Sequence, residues 1–194
     1  MAGYKLRLTL YSEVEVWREI EIPEDITFER LHFIIQKLFG FRSRYHMWEF
    51  RIPKESPKDD FVDLNDIKRT INMKQALRSK VRTVLKKQNI IDYEYDFGDG
   101  WEIIIQKLEE TNYKNKTALI LDYKGRYNPM DNMGGIMVFE EIMEAVNNGE
   151  DILDVASEYG IEKFHVNNYM DFEEKYEIGS RIRLNDREWI ITKN

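Results

Sequence analysis

The chain contains no cysteine. That excludes disulfides, thiolate nucleophiles and cysteine-ligated zinc or iron–sulfur centres. Histidine is nearly as scarce: His32, His46 and His165 stand far apart. His46 and Glu49, three residues apart on a strand, face opposite sides and make a poor ligand pair. No apolar run approaches the roughly 20 residues of a membrane helix. Met1-Ala-Gly-Tyr-Lys-Leu-Arg-Leu8 passes directly into an alternating strand, with no apolar signal region. The expectation is a soluble cytoplasmic protein with no membrane partner, no cofactor and no metal. Asn115-Lys-Thr117 is discounted as a glycosylation acceptor for the same reason.

What is present suffices for a packed core. Of 194 residues, 42% are hydrophobic and 13% aromatic, which excludes a disordered chain. The net charge is −7, concentrated in the second half. Between Asp66 and Asp92, however, lie eight basic residues and no acid. This asymmetry is the chain's only electrostatic pointer to a partner.

The most informative stretch is Asp92-Tyr-Glu-Tyr-Asp-Phe-Gly-Asp-Gly-Trp101-Glu-Ile-Ile-Ile105. Ile91, Tyr93, Tyr95 and Phe97 alternate with acids, turn chemistry follows at Gly98-Asp99-Gly100, and Trp101, Ile103 and Ile105 resume the alternation. A three-residue loop is expected, with Phe97 opposite Trp101 and Gly100 left-handed. In that register Asp96 opposes Glu102 and, with Glu94 and Asp99, forms an acidic edge that wants a basic partner.

Strands are expected over 4–11, 14–22, 46–52 and 118–123. A helix capped by Thr27 runs to Gly40, with Ile26 and Leu31 as a hydrophobic staple. Residues 53–66 read as a loop, and 73–87 as a helix presenting Leu77, Val81, Val84 and Leu85 inward. Further helices are expected at 137–147 and 151–159. A tail hairpin should place Ile182 opposite Trp189 and Arg183 opposite Glu188. The fold class is α+β: a mainly antiparallel sheet built from hairpins with packed helices, opening β-β-α-β. The four tryptophans, all on expected strands, are assigned to packing.

Asp96-Phe-Gly98 matches the kinase magnesium tripeptide, but the glycine-rich loop, strand lysine and catalytic loop are missing. Asp96, Asp99 and Glu102 are the catalytic candidates. Lys74, Arg78, Arg82 and Lys86, four apart on the expected helix, are the candidates for nucleic-acid contact. An overall charge of −7 opposes approach to a polyanion, so nucleic acid is not the favoured partner. Gly134-Gly135 before a helix reads as a sharp turn.

Tyr95-Asp-Phe-Gly-Asp-Gly-Trp-Glu102 resembles the signature of the plasmid pRiA ORF-three-like family, also labelled TnpR-like or transposon-passenger proteins. The resemblance extends to Val16-Trp-Arg-Glu-Ile20, Ile26-Thr-Phe-Glu-Arg-Leu-His-Phe-Ile-Ile-Gln36, Phe39-Gly-Phe41, His46-Met-Trp-Glu-Phe-Arg-Ile52, Asp131 and Gly134-Gly135. It implies an α+β domain over residues 1–170, with 171–194 as a C-terminal extension. Some members carry resolvase or repressor labels. The chain departs from the pattern at Ile103, where many relatives have histidine, and at Asn128-Pro-Met-Asp-Asn-Met133, where a proline- and cysteine-containing approach is usual. The resemblance implies an α+β fold more than an activity; the leading reading is a non-enzymatic interaction or accessory domain, linked to mobile DNA through the family. The alternative is an enzyme acting on nucleic acid or phosphate compounds, with its site near Asp96, Asp99 and Glu102.

Overall fold

Alternation along the first strands decides which side of the sheet is buried. In a computed structural model that describes residues 2–54, 67–184 and 189–192, β1 (Gly3–Leu10) turns Tyr4, Leu6, Leu8 and Leu10 to one face. β2 (Trp17–Pro23) pairs with it antiparallel, setting Ile20 opposite Leu6 and Ile22 opposite Tyr4. The same parity carries Arg18 inward, opposite Leu8, where it is fully buried. Its guanidinium donates to the carbonyls of Trp17 and Lys124 and to Asn128 Oδ1 at 2.7 Å, and it lies 3.9 Å over the Phe172 ring. Burial pushes Arg18 down to about 9.

Thr27 caps α1 (Phe28–Leu38) through the Arg30 N–H at 3.2 Å, and Ile26 and Leu31 are both buried as a staple requires. β3 (Trp48–Pro53) and β4 (Ile67–Asn72) follow. Residues 55–66, most of the expected loop, lie outside the described residues. β4 itself was not expected.

The expected helix over 73–87 is two single turns, α2 (Met73–Ala76) and α3 (Arg82–Leu85). Tertiary hydrogen bonds break it. Phe28 N–H donates to Ser79 O at 3.0 Å and Val81 N–H to Ile26 O at 2.9 Å, so the middle of the segment pairs with the chain entering α1. Ala76 is buried in consequence, while Leu77 is left 54% exposed.

β5 (Ile90–Tyr95), β6 (Trp101–Thr111) and β7 (Ala118–Lys124) complete the central strands. α4 (Gly135–Asn147) and α5 (Ile152–Glu158) come next, with Phe139, Ile142, Met143 and Val155 in the core. A series of short turns ends the helical part: α6 (Lys163–His165), a π-turn (Val166–Met170) and α7 (Phe172–Lys175). β8 (Arg181–Leu184) and β9 (Trp189–Thr192) close the chain.

Among the described residues, nine strands form one sheet in the order β4-β3-β5-β6-β1-β2-β7-β8-β9, with every neighbouring pair antiparallel. This is an α+β fold. One core cluster unites a face of the sheet with α1, α4 and α5, and Phe172, Tyr176 and Ile182 from the tail segment belong to it. The tail hairpin pairs Leu184 with Trp189 and Ile182 with Ile191, two residues away from the expected register.

His32 occupies the heart of this core. It is 3% exposed, its Nδ1 is 2.7 Å from Tyr93 Oη, and its ring stacks on Trp48 at 3.9 Å. Burial pushes its pKa down to about 3 from 6.5. A histidine depressed in the folded state contributes stability that is complete above its unfolded pKa and lost as pH falls toward the folded value. Between about pH 6.5 and 4.5 this group alone removes about 2–3 kcal/mol. Buried Asp92, raised to about 6 by desolvation, acts in the opposite sense over part of that range. His32→Phe isolates the histidine. Urea unfolding at the two pH values should show a loss on acidification smaller by about 2–3 kcal/mol in the variant. Identical losses in both proteins would show that His32 does not stay neutral inside the fold.

Candidate functional site

The signature turn is longer than its alternation suggests. Tyr95 pairs with Trp101, Tyr93 with Ile103 and Ile91 with Ile105, so residues 96–100 form a five-residue loop. Phe97 is therefore 48% exposed instead of opposing Trp101. Asp96 leaves the strand at φ 54, its N–H donating to Met47 O at 2.9 Å. Its carbonyl accepts from Gly100 N–H at 2.6 Å, and its Oδ1 from Gly98 N–H at 3.1 Å. A side chain that bonds its own backbone two residues on is what makes aspartate tolerable in the left-handed region. Gly100 takes φ 68, as expected.

The slip of two residues also changes which acids meet. Glu94, not Asp96, stands opposite Glu102. Their basic partner comes from β3. Arg51 donates through Nε to Asp92, through Nη1 to Glu94 at 2.9 Å and through Nη2 to Glu102 at 2.8 Å. One guanidinium fork thus serves three carboxylates on the face of the sheet away from Tyr95 and Trp101. Burial pushes Asp92 up to about 6, and Arg51, itself raised by this cluster, holds it ionised at neutral pH.

Asp96 and Asp99 lie at the tip, apart from Glu102. Asp96 Oδ2 is 3.0 Å from His46 Nδ1. Asp99 is raised by burial and by the Asp96 charge, and its Oδ2 lacks a hydrogen-bond partner. The Trp101 indole N–H approaches Asp99, lowering its pKa somewhat, without reaching hydrogen-bond geometry. Among the described residues, no three histidine or acidic side chains are arranged to hold a metal ion.

Behind the turn, two distant stretches of the chain converge on one carboxylate. Asp131 accepts from the Tyr95 hydroxyl at 2.9 Å and from the N–H groups of Arg42 at 2.6 Å and Ser43 at 2.8 Å. The double glycine docks on the signature turn: a Cβ at Gly135 (φ +82) would lie 3.1 Å from Asp99 O. Gly40 (φ +75) lets the end of α1 approach the π-turn, where a Cβ would lie 2.5 Å from Tyr169 O. These contacts explain why glycines and an aspartate far apart in sequence stand where they do.

They also frame a cleft of about 550 Å³, whose lining includes Arg42, Asp131, Tyr159, Ile161, His165 and Tyr169. A smaller recess of about 170 Å³ shares Gly40, Arg42 and Tyr169 with it and is lined further by Lys37, Lys175 and Tyr176. Sequence reasoning singled out none of Lys37, Arg42, Tyr169 or Lys175. Phe164, His165 and Tyr169 form an aromatic cluster, with ring centroids 5.5–5.9 Å apart.

The four-cation stripe is dispersed. Arg82 lies 3.5 Å from Asp25, Lys86 lies 3.4 Å from Glu24, and α2 and α3 are separate turns. Lys74 and Arg78 are exposed elsewhere on the segment.

An antiparallel sheet with helices packed on one core, its Asp96-Phe-Gly-Asp-Gly100 turn held against a double glycine, defines an α+β domain. The chain belongs to the plasmid pRiA4b ORF-3-like protein family, whose model matches residues 2–174. It is similar to the uncharacterized protein y4hQ of Sinorhizobium fredii, 31% identical over 152 residues that cover 73% of this chain and 72% of that one. The fold is also that of a protein of unknown function, MM3350 from Methanosarcina mazei Go1. The TM-score is 0.58 at 24% identity, over 77% of this chain and 84% of that one. Among the described residues, no helix is long and apolar enough to cross a membrane.

Proposed function

We propose that this protein is a non-enzymatic interaction domain serving as an accessory factor, with mobile DNA as the setting suggested by the plasmid reading frame that names its family. The observation that carries the reading is that most of the signature acids are engaged by side chains of the protein itself. Arg51 engages Asp92, Glu94 and Glu102, and His46 engages Asp96. Proton-transfer catalysis needs an acid or base within reach of a substrate proton. These groups are directed at one another, and the open cleft lies beside them, against Asp131. The dispersed cations Lys74, Arg78, Arg82 and Lys86 are given no nucleic-acid role, since two of them face Glu24 and Asp25.

One observation favours the enzymatic alternative. Asp99 is raised by burial, has an unbonded Oδ2, and sits beside an Asp96–His46 pair on backbone held at positive φ. The test is turnover of single-stranded DNA, duplex DNA, RNA and nucleotides by the purified protein with magnesium or manganese. The expected result is no turnover above that of an Asp96→Asn, Asp99→Asn double variant. Turnover that falls by about a hundredfold or more in Asp99→Asn would replace the binding reading with the enzymatic one.

A further inference from the structure

The recess behind Gly40 gathers positive charge without matching negative charge. Lys37 comes from the last turn of α1, Arg42 from the loop that follows, and Lys175 from the end of α7. None of the three lies within ion-pair distance of a carboxylate among the described residues. Two are half-buried lysines, a placement that lysine avoids when it has no partner. The nearby acids are committed elsewhere. Asp131 is held by three donors, and Asp171 is bound by Arg126 at 2.7 Å.

The cost of this arrangement shows in the lysines. Lys175 is pushed down to about 8 by burial and by the charges of Arg42 and Lys37, which outweigh the opposing charge of Asp171. Lys37 is pushed down by burial and by Arg42 and Arg44. What holds the cations in place is aromatic: the Tyr169 ring centroid lies 4.3 Å from Arg42 Cζ and 5.4 Å from Lys175 Nζ. The scaffold behind them is fixed by the Asp131 bonds to Arg42 and Ser43 N–H, by Gly40 against the Tyr169 carbonyl, and by Tyr176 Oη donating to Lys37 O at 3.0 Å. A concave, preorganised set of cations that repel one another is relieved by an oxyanion, and three donors with a fork geometry at Arg42 suit a phosphate.

We propose that the recess formed by Lys37, Arg42, Lys175 and Tyr169 binds the phosphate of a small phosphate ester, whose organic part extends past Arg42 into the adjoining cleft toward Tyr159 and His165. The inference deepens the reading of the domain as a binding module by naming its ligand class. A small ester fits better than a nucleic-acid strand for two reasons. The recess is only about 170 Å³, and the chain's charge of −7 opposes a polyanion. The shared wall of Gly40, Arg42 and Tyr169 gives the ester continuous access to both cavities.

The test is calorimetric titration of the full chain with inorganic phosphate, adenosine monophosphate, adenosine and a short single-stranded oligonucleotide. The monophosphate should bind, and adenosine should bind more weakly by about tenfold or more, the worth of charge-assisted hydrogen bonds to the phosphate. Lys175→Gln and Lys37→Gln should each weaken monophosphate binding by about tenfold without lowering Tm, because each removes a repelled charge. Should either variant misfold, the wild-type Tm decides: phosphate must raise it more than chloride at equal ionic strength. Equal shifts, or equal binding of adenosine and its monophosphate, would overturn the site. Tighter binding of the oligonucleotide with a steep salt dependence would overturn the small-ester assignment in favour of a strand. Either failure leaves the turnover result untouched, so the binding reading and its ligand are tested separately.

Discussion

Replacing Arg51 by methionine should destabilise the protein by about 3–5 kcal/mol at neutral pH, the cost of leaving a buried charge cluster without its counter-ion. Asp92 is 1% exposed at its side chain and loses its cation outright, while Glu94 and Glu102 are left opposed across β5 and β6. The loss should depend on pH in a definite direction. Without the guanidinium, Asp92 rises further above its unfolded value. A carboxyl raised in the folded state contributes stability that is fully present below its unfolded pKa and lost as pH rises through the folded one. The deficit of Arg51→Met should therefore be largest at about pH 7.5 and shrink toward about pH 5. Adding Asp92→Asn should recover part of it at neutral pH, since the neutral amide needs no counter-ion. Urea unfolding of the single and double variants reads both effects. A pH-independent deficit, with no recovery in the double variant, would show that Arg51 acts through packing of its stem and not through charge.

Trp101→Ala should cost about 3–5 kcal/mol, the range for truncating a buried large aromatic. Trp101 is fully buried, faces Tyr95 across the hairpin and lies 5.8 Å, centroid to centroid, from Phe41 in the loop after α1. It therefore joins the signature turn to the segment that carries Arg42. Trp101→Phe keeps most of that contact and should cost about 1–2 kcal/mol. The indole N–H makes no hydrogen bond that phenylalanine would forfeit. Thermal unfolding of the two variants separates these values. Wild-type stability in Trp101→Ala would remove Trp101 from the core and make it a platform for ligand instead.

Much of the fold was legible because it is written in local periodicity. Leu6, Leu8 and Leu10 announced their strand, and Thr27 with Ile26 and Leu31 announced the start of α1. Gly100 announced the left-handed turn position, and the signature with its companion motifs announced the family. The register of the signature hairpin was not legible. A slip of two residues keeps every side chain on its own face, so period-2 patterning cannot distinguish Phe97 from Tyr95 as the partner of Trp101. Tail residues Ile182 and Trp189 show the same two-residue ambiguity.

The sequence by itself determined the first strands, α1, the α+β class and the signature turn by which the family is recognised, but not β4 or the short turns of 163–175. Helical spacing suggested one helix at 73–87, and only the tertiary structure, through backbone bonds from Phe28 and to Ile26, decided on two turns. Only the tertiary structure matched Arg51 with acids 41 to 51 residues away. It alone brought Lys37, Arg42 and Lys175 around Tyr169. Periodicity is imposed on neighbours by backbone geometry and can be read along the chain. Charge partners and clefts form between segments whose approach is set by the packing of the whole core, and no local pattern records that approach.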